Sequence, residues 1–162
     1  MKVLKFLPLL GLLLVLNSAY LAAFADPTVF YMANVLMHLG LGILVALLFV
    51  LFLVRNHSFF GLTGGIAAAL LLSGFALGLI LIFTGAYRPY RHLLQAHIAA
   101  TTIGIILLAI HLYGRSRRPD ATLAQRRFSR IFAALVVIGL ILTVSWRYYD
   151  KQQTIAAGYI NN

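Results

Sequence analysis

Five long apolar runs separated by short polar segments make up most of this chain. They cover about 4–24, 29–54, 59–84, 91–114 and 128–146. Each is close to the roughly 20 apolar residues that a helix needs to cross a hydrocarbon core, and none alternates with the period of a half-buried strand. The pattern predicts an all-α integral membrane bundle of five transmembrane helices, forming one domain over 1–162. The first run follows Lys2 and Lys5 and ends near Ala23-Phe24-Ala25, which is also how a secretory signal peptide reads. Its apolar stretch continues through 17–25 and is long enough to span, so we read it as the first helix. Pro8 falls in its first turns, where a missing N–H is tolerated.

The polar segments read as connections. Asp26-Pro27-Thr28 predicts a turn, and so does Arg55-Asn56-His57-Ser58, where Asn56 or Ser58 can cap the third helix. The segment from Gly85 to Tyr90 carries turn residues. Residues 115–127 predict a basic loop, and 147–162 a polar tail. Such short links predict that consecutive helices run antiparallel beside each other.

The chain is 62% hydrophobic, with a mean hydropathy of +0.97, which excludes an ordinary soluble domain. Thirteen Lys and Arg stand against three acids, Asp26, Asp120 and Asp150. The +10 charge does not point to nucleic acid, because the basic residues lie between the apolar runs, where topology and lipid headgroups explain them. With the N-terminus inside, one side holds Lys2, Lys5, Arg55, Arg115, Arg117, Arg118, Arg126, Arg127 and Arg130, and the other Arg88, Arg91, Arg147 and Lys151. The positive-inside rule then predicts an N-in, C-out chain, multi-pass in the cytoplasmic (inner) membrane of a prokaryote. No acid lies within a span, which disfavours ion-coupled transport. No cysteine is present, which excludes disulfides, thiol catalysis, Cys-ligated iron–sulfur clusters and covalent c-type haem.

Candidate chemistry rests on histidines. His97 and His111 lie 14 residues apart on the fourth helix, within about 40° of one face and about 21 Å apart along it. Gly104 sits midway on the same stripe. Two imidazoles near opposite membrane surfaces, with a glycine between them, suit a helix that carries a haem at each end. The alternative is two interfacial histidines that share a face. His38 lies about 13 Å into the second helix and His97 about 9 Å into the fourth, both from the outer side. They form a natural pair of axial ligands, with Gly40 and Gly42 relieving crowding. His111 has His57 as its candidate partner, but His57 falls at or beyond the end of the second helix. His92 is about 140° from His97 and reads as interfacial or as a propionate contact. Arg91 and Arg115 are placed to meet haem propionates, alongside Arg88 and Arg55. Gly74 and Gly78 form a small-x-x-x-small pair that admits another helix or a flat cofactor.

The run LLLSGFALGLILIFTGAYRPYRHLLQAHIAATTIGIILLAIHLYGR resembles part of the small b-type membrane cytochromes of the cytochrome b561 and cytochrome b kind. There, a helix ending in a T-G-like turn precedes a helix with a histidine near each end. The resemblance spans about 29–115. It implies bis-histidine haem b, transmembrane electron transfer, and often a quinone site and a peripheral redox partner. The metal ligands it suggests here are His38 and His97, and His111 with His57 for a second haem. The chain would then be a non-catalytic electron-transfer subunit of an oxidoreductase complex. It would pass electrons between a quinone pool and a redox protein on the outer face, such as a periplasmic cytochrome. The competing reading is a cofactor-free structural subunit of a large respiratory or photosynthetic membrane complex, or one that ligates a chlorophyll through a single histidine. Either reading predicts other membrane subunits and lipid as partners.

Overall fold

A computed structural model describes residues 6–24, 28–56, 60–85 and 88–156, with side chains up to 149 except Arg88. His57, Ser58, Asp26, Lys2, Lys5 and residues 157–162 of the expected polar tail lie outside these limits. The described residues form five helices: α1 (Leu7–Ala23), α2 (Val29–Arg55), α3 (Leu62–Thr84), α4 (Arg91–Ser116) and α5 (Leu123–Ala156). The last four are long and apolar enough to cross a membrane, and α1 is a shorter apolar helix of 17 residues. The chain is a multi-pass membrane protein.

Local chemistry sets the helix ends. Pro8 lies in the first turn of α1, as expected. The Thr28 hydroxyl caps α2 by accepting the Tyr31 N–H at 3.1 Å. Asn56 does not cap α3. Its side-chain amide instead donates to the Phe52 carbonyl at 3.1 Å and closes the end of α2. The α3 N-cap is Gly61, which has no side chain to offer. Gly85 ends α3 at φ 72°, a left-handed conformation that favours glycine, and its N–H reaches the Leu81 carbonyl at 2.9 Å. A single 3-10 turn, Arg88–Tyr90, leads into α4.

The basic loop is much shorter than 115–127. Helix α4 continues through Ser116, and α5 begins at Leu123. The start of α5 is a reciprocal capping box: Thr122 N–H donates to Gln125 Oε1 at 2.9 Å, and Gln125 N–H donates to Thr122 Oγ1 at 3.2 Å. Arg126 and Arg127 therefore ride on the same helix as Arg130. At its other end, α5 runs ten residues past the expected limit of 146.

Helices α3 and α4 form the most extensive pair. Helix α1 packs on α2 and α5, α5 packs on α4, and α2 only brushes α3. The core has two parts. Phe49, Ala68 and Leu71 join α2 to α3, and Ala109, Phe132 and Val136 join α4 to α5. Leucine, isoleucine and valine side chains cover the outward faces, as a lipid-facing surface requires.

Candidate functional site

The α3–α4 seam is built on glycine. A Cβ added at Gly64 would lie 2.9 Å from His111 Cε1, and one at Gly78 would lie 3.1 Å from His97 Cε1. A Cβ at Gly104 would lie 2.9 Å from Leu71 Cγ, and one at Gly74 would strike the Thr101 methyl. Gly64, Leu71 and Gly78 thus step by seven along α3, opposite His111, Gly104 and His97 stepping back by seven along α4. Each contact sets a glycine against a side chain, so the two backbones approach closely. The stripe of His97, Gly104 and His111 seen in the sequence is therefore the α4 half of a helix–helix seam. Leu71 fills the space in front of Gly104. The approach that Gly74 and Gly78 permit is made by α4.

The seam orients His97. Its Nδ1 lies 2.8 Å from the Gly74 carbonyl oxygen. A carbonyl only accepts, so Nδ1 carries a proton, and in the neutral tautomer with that proton Nε2 holds the lone pair. Thr101, one turn on, donates to the His97 carbonyl at 2.7 Å and holds its methyl in the Gly74 notch.

His38 reaches the same state by another route. Its Nδ1 lies 3.3 Å from Ser18 Oγ on α1. The single Ser18 hydroxyl proton is directed to the Leu14 carbonyl at 2.7 Å. Ser18 Oγ is then the acceptor towards His38, whose Nδ1 must donate, again leaving Nε2 as the lone-pair nitrogen.

These two rings come together. The His38 and His97 centroids are 6.3 Å apart and the planes are nearly perpendicular, at 88°. Two imidazoles that hold one metal from opposite sides, each through a bond of about 2.0 Å, have centroids roughly 6 Å apart. A ligating histidine usually donates its other ring N–H to a carbonyl or another acceptor, as both do here. Among the described residues, no three His, Asp or Glu side chains gather as a metal cage. Two imidazoles alone suit a metal whose remaining positions a macrocycle fills, so the residues present fit a bis-histidine haem. Nothing lies within 4 Å of a Cβ placed on Gly40 or Gly42.

The other candidates are dispersed. The His111 ring stacks on Phe60 with centroids 5.9 Å apart and planes 11° apart, its Nε2 buried and its edge in the Gly64 notch. Its expected partner, His57, lies outside the described residues. His92 and Arg91 are exposed at the start of α4, Arg55 is exposed at the end of α2, and Arg115 is half-buried at the other end of α4.

A buried amide pair escaped sequence reasoning. Asn17 Nδ2 on α1 donates to Asn34 Oδ1 on α2 at 2.9 Å, and Asn34 Nδ2 donates to the Phe30 carbonyl at 2.8 Å. Both residues are buried. Asn34 lies one turn before His38 and Asn17 directly precedes Ser18, so the two polar contacts sit side by side on the α1–α2 face. The available signal was one asparagine inside each of two apolar runs. At the same end of the bundle, Arg147 Nε on α5 donates to the Ala22 carbonyl on α1 at 2.7 Å, and Trp146 meets Phe24 with ring centroids 4.6 Å apart.

Comparison with known proteins finds no matching family model, no significant match among curated proteins and none among solved structures.

Proposed function

We propose that the chain is a haem-b-holding, electron-carrying membrane subunit, with His38 and His97 as the axial ligands of a haem in the outer half of the bundle. The observation that carries this reading is the matched state of the two rings: each donates from Nδ1 to a neighbour, and each keeps Nε2 for a metal. Haem iron held by two imidazoles supplies a one-electron couple. The protein's own residues do the positioning. Gly74 and Gly78 seat the His97 ring, Ser18 orients His38, and Arg91 stands at the same end of α4, where a propionate could meet a cation. The chain would be a non-catalytic subunit, because the redox chemistry belongs to the haem and its partners. It relays electrons between a quinone pool and a redox protein, such as a periplasmic cytochrome, in a larger membrane complex. A second haem at His111 and His57 has less support, because the His111 ring stacks on Phe60 and His57 lies outside the described residues.

The competing reading is a cofactor-free structural subunit. It is favoured by one observation, that the Gly64 and Gly78 notches account for both α4 histidines as packing elements. A reduced-minus-oxidised spectrum of the purified chain separates the two. A b-type α band that is lost in His38→Ala and in His97→Ala, but kept in His92→Ala, supports the haem reading. A colourless preparation from cells supplied with haem precursors favours the structural subunit.

A further inference from the structure

A second polar site lies at the opposite end of the bundle, where α4 turns into α5. Tyr113, Ser116, Arg117, Arg126 and Arg130 line a cavity of about 370 Å³. Three guanidinium groups meet there, and among the described residues no carboxylate lines the cavity. Asp120 is the only acid among the residues with described side chains, and it is exposed in the turn beyond.

Two of the three arginines are fixed before any ligand arrives. Arg117 Nη2 donates to the Tyr113 hydroxyl at 2.6 Å, and its guanidinium lies over the Tyr113 ring, 4.7 Å from the centroid. Arg126 Nε donates to the Ala121 carbonyl at 3.2 Å and its Nη2 to the Arg118 carbonyl at 3.3 Å. A guanidinium has five N–H donors, so each keeps several for a further acceptor. Arg130, one turn on from Arg126 along α5, is exposed. Converging cations that are already oriented favour an anion with several acceptor oxygens, and a phosphate matches the fork of an arginine.

The cavity also lies at a depth that selects the source of that phosphate. It sits where the apolar stretch of α4 ends and that of α5 begins. Exposed Ile110, one turn before Tyr113, and exposed Ile131, next to Arg130, continue from the same helices into the apolar zone. A headgroup in the cavity would leave its acyl chains beside these residues.

We infer that the α4–α5 corner is a binding site for the phosphodiester headgroup of an anionic phospholipid. Basic pockets between membrane helices are suited to such headgroups. The test is native mass spectrometry of the full chain in neutral detergent, titrated separately with phosphatidylglycerol and phosphatidylcholine. Phosphatidylglycerol should bind about tenfold more tightly, and Arg130→Gln should weaken it about tenfold, as expected for the loss of one charge-assisted contact. Arg130→Lys should keep most of the binding. Arg127→Gln removes the same charge from a neighbouring position that does not line the cavity and should change binding little. Equal binding of the two lipids would overturn the site, and so would equal losses in Arg127→Gln and Arg130→Gln. Displacement of phosphatidylglycerol by millimolar inorganic phosphate would assign the cavity to a free anion and overturn the lipid assignment. Thermal melting of each variant without added lipid checks that Arg130→Gln is folded.

Discussion

His97 Nδ1 donates to the Gly74 carbonyl at 2.8 Å, from a ring that rests against Gly78. The contact joins α4 to α3 through a backbone acceptor, so no side-chain change on α3 removes the acceptor itself. What can disturb it is volume. A Cβ at Gly78 falls 3.1 Å from His97 Cε1, so Gly78→Ala requires a shift of a few tenths of an ångström, while Gly78→Val drives the ring out of its notch. Gly78→Val is expected to cost about 1–3 kcal/mol, the usual range for overpacking. Unfolding in mixed micelles checks the value, and a stability equal to the parent chain would contradict the notch.

The two histidines are expected to share one tautomer. Both should carry the proton on Nδ1, which ring 15N chemical shifts of the metal-free protein report directly. In Ser18→Ala, His38 should lose this preference and His97 should keep it, because His97 is set by Gly74 alone. If haem is bound, Ser18→Ala should also weaken its retention by roughly 10–100-fold, the usual effect of removing a partner behind a metal ligand. A proton on Nε2 of His97 in the parent chain would remove the basis of the proposed ligation.

Gly104 and Leu71 should be energetically coupled. A Cβ at Gly104 meets not only the Leu71 side chain but also its backbone nitrogen, at 3.2 Å. Gly104→Ala should therefore destabilise, and Leu71→Ala should recover part of that loss but not all of it. A double-mutant cycle measures the coupling, expected between about 0.5 and 3 kcal/mol. Simple additivity would mean that the seam is not packed in this register.

The Asn17–Asn34 bond tests how α1 is held to α2. Removing one partner leaves a buried amide without its mate, so Asn17→Ala should cost about 1 kcal/mol, in line with hydrogen bonds between membrane helices. Replacing both by leucine should cost less than replacing either alone. Micelle unfolding of the two single variants and the double variant gives the comparison.

The absence of cysteine makes orientation directly testable, since any thiol introduced is unique. Pro89 and Asp120 are exposed beyond opposite ends of α4. Asp120→Cys should react with an impermeant maleimide only after the cytoplasmic side is opened, and Pro89→Cys should react from outside. The reverse pattern would overturn the N-in orientation.

Much of the helix inventory could be read along the chain. The limits of α2, α3 and α4 fall within three residues of those expected from the apolar runs. This follows from the membrane itself: a span must satisfy its backbone internally and shed its charges at the ends, and both conditions are local. The start of α5 differs from the expected 128 for a related reason. Arg126 and Arg127 look like loop residues by charge, yet long arginine side chains at a membrane surface remain on a helix with their heads in water. The Thr122 and Gln125 capping box was the overlooked signal.

Five helices, their apolar faces and the stripe of His97, Gly104 and His111 are all written in the linear order of residues. The sequence also contained Gly64, Leu71 and Gly78 at the same seven-residue step. That these two stripes face each other emerges only when the helices pack, because a helical repeat marks one face of a helix but does not choose the neighbour or the register. The same holds for His38. Its depth was legible from its place in α2, but the 6.3 Å approach to His97 and the Ser18 contact behind it depend on how α1, α2 and α4 lean together. That lean is settled by side-chain volumes and buried polar groups summed across several helices, and no single stretch of chain holds enough of them to be read alone.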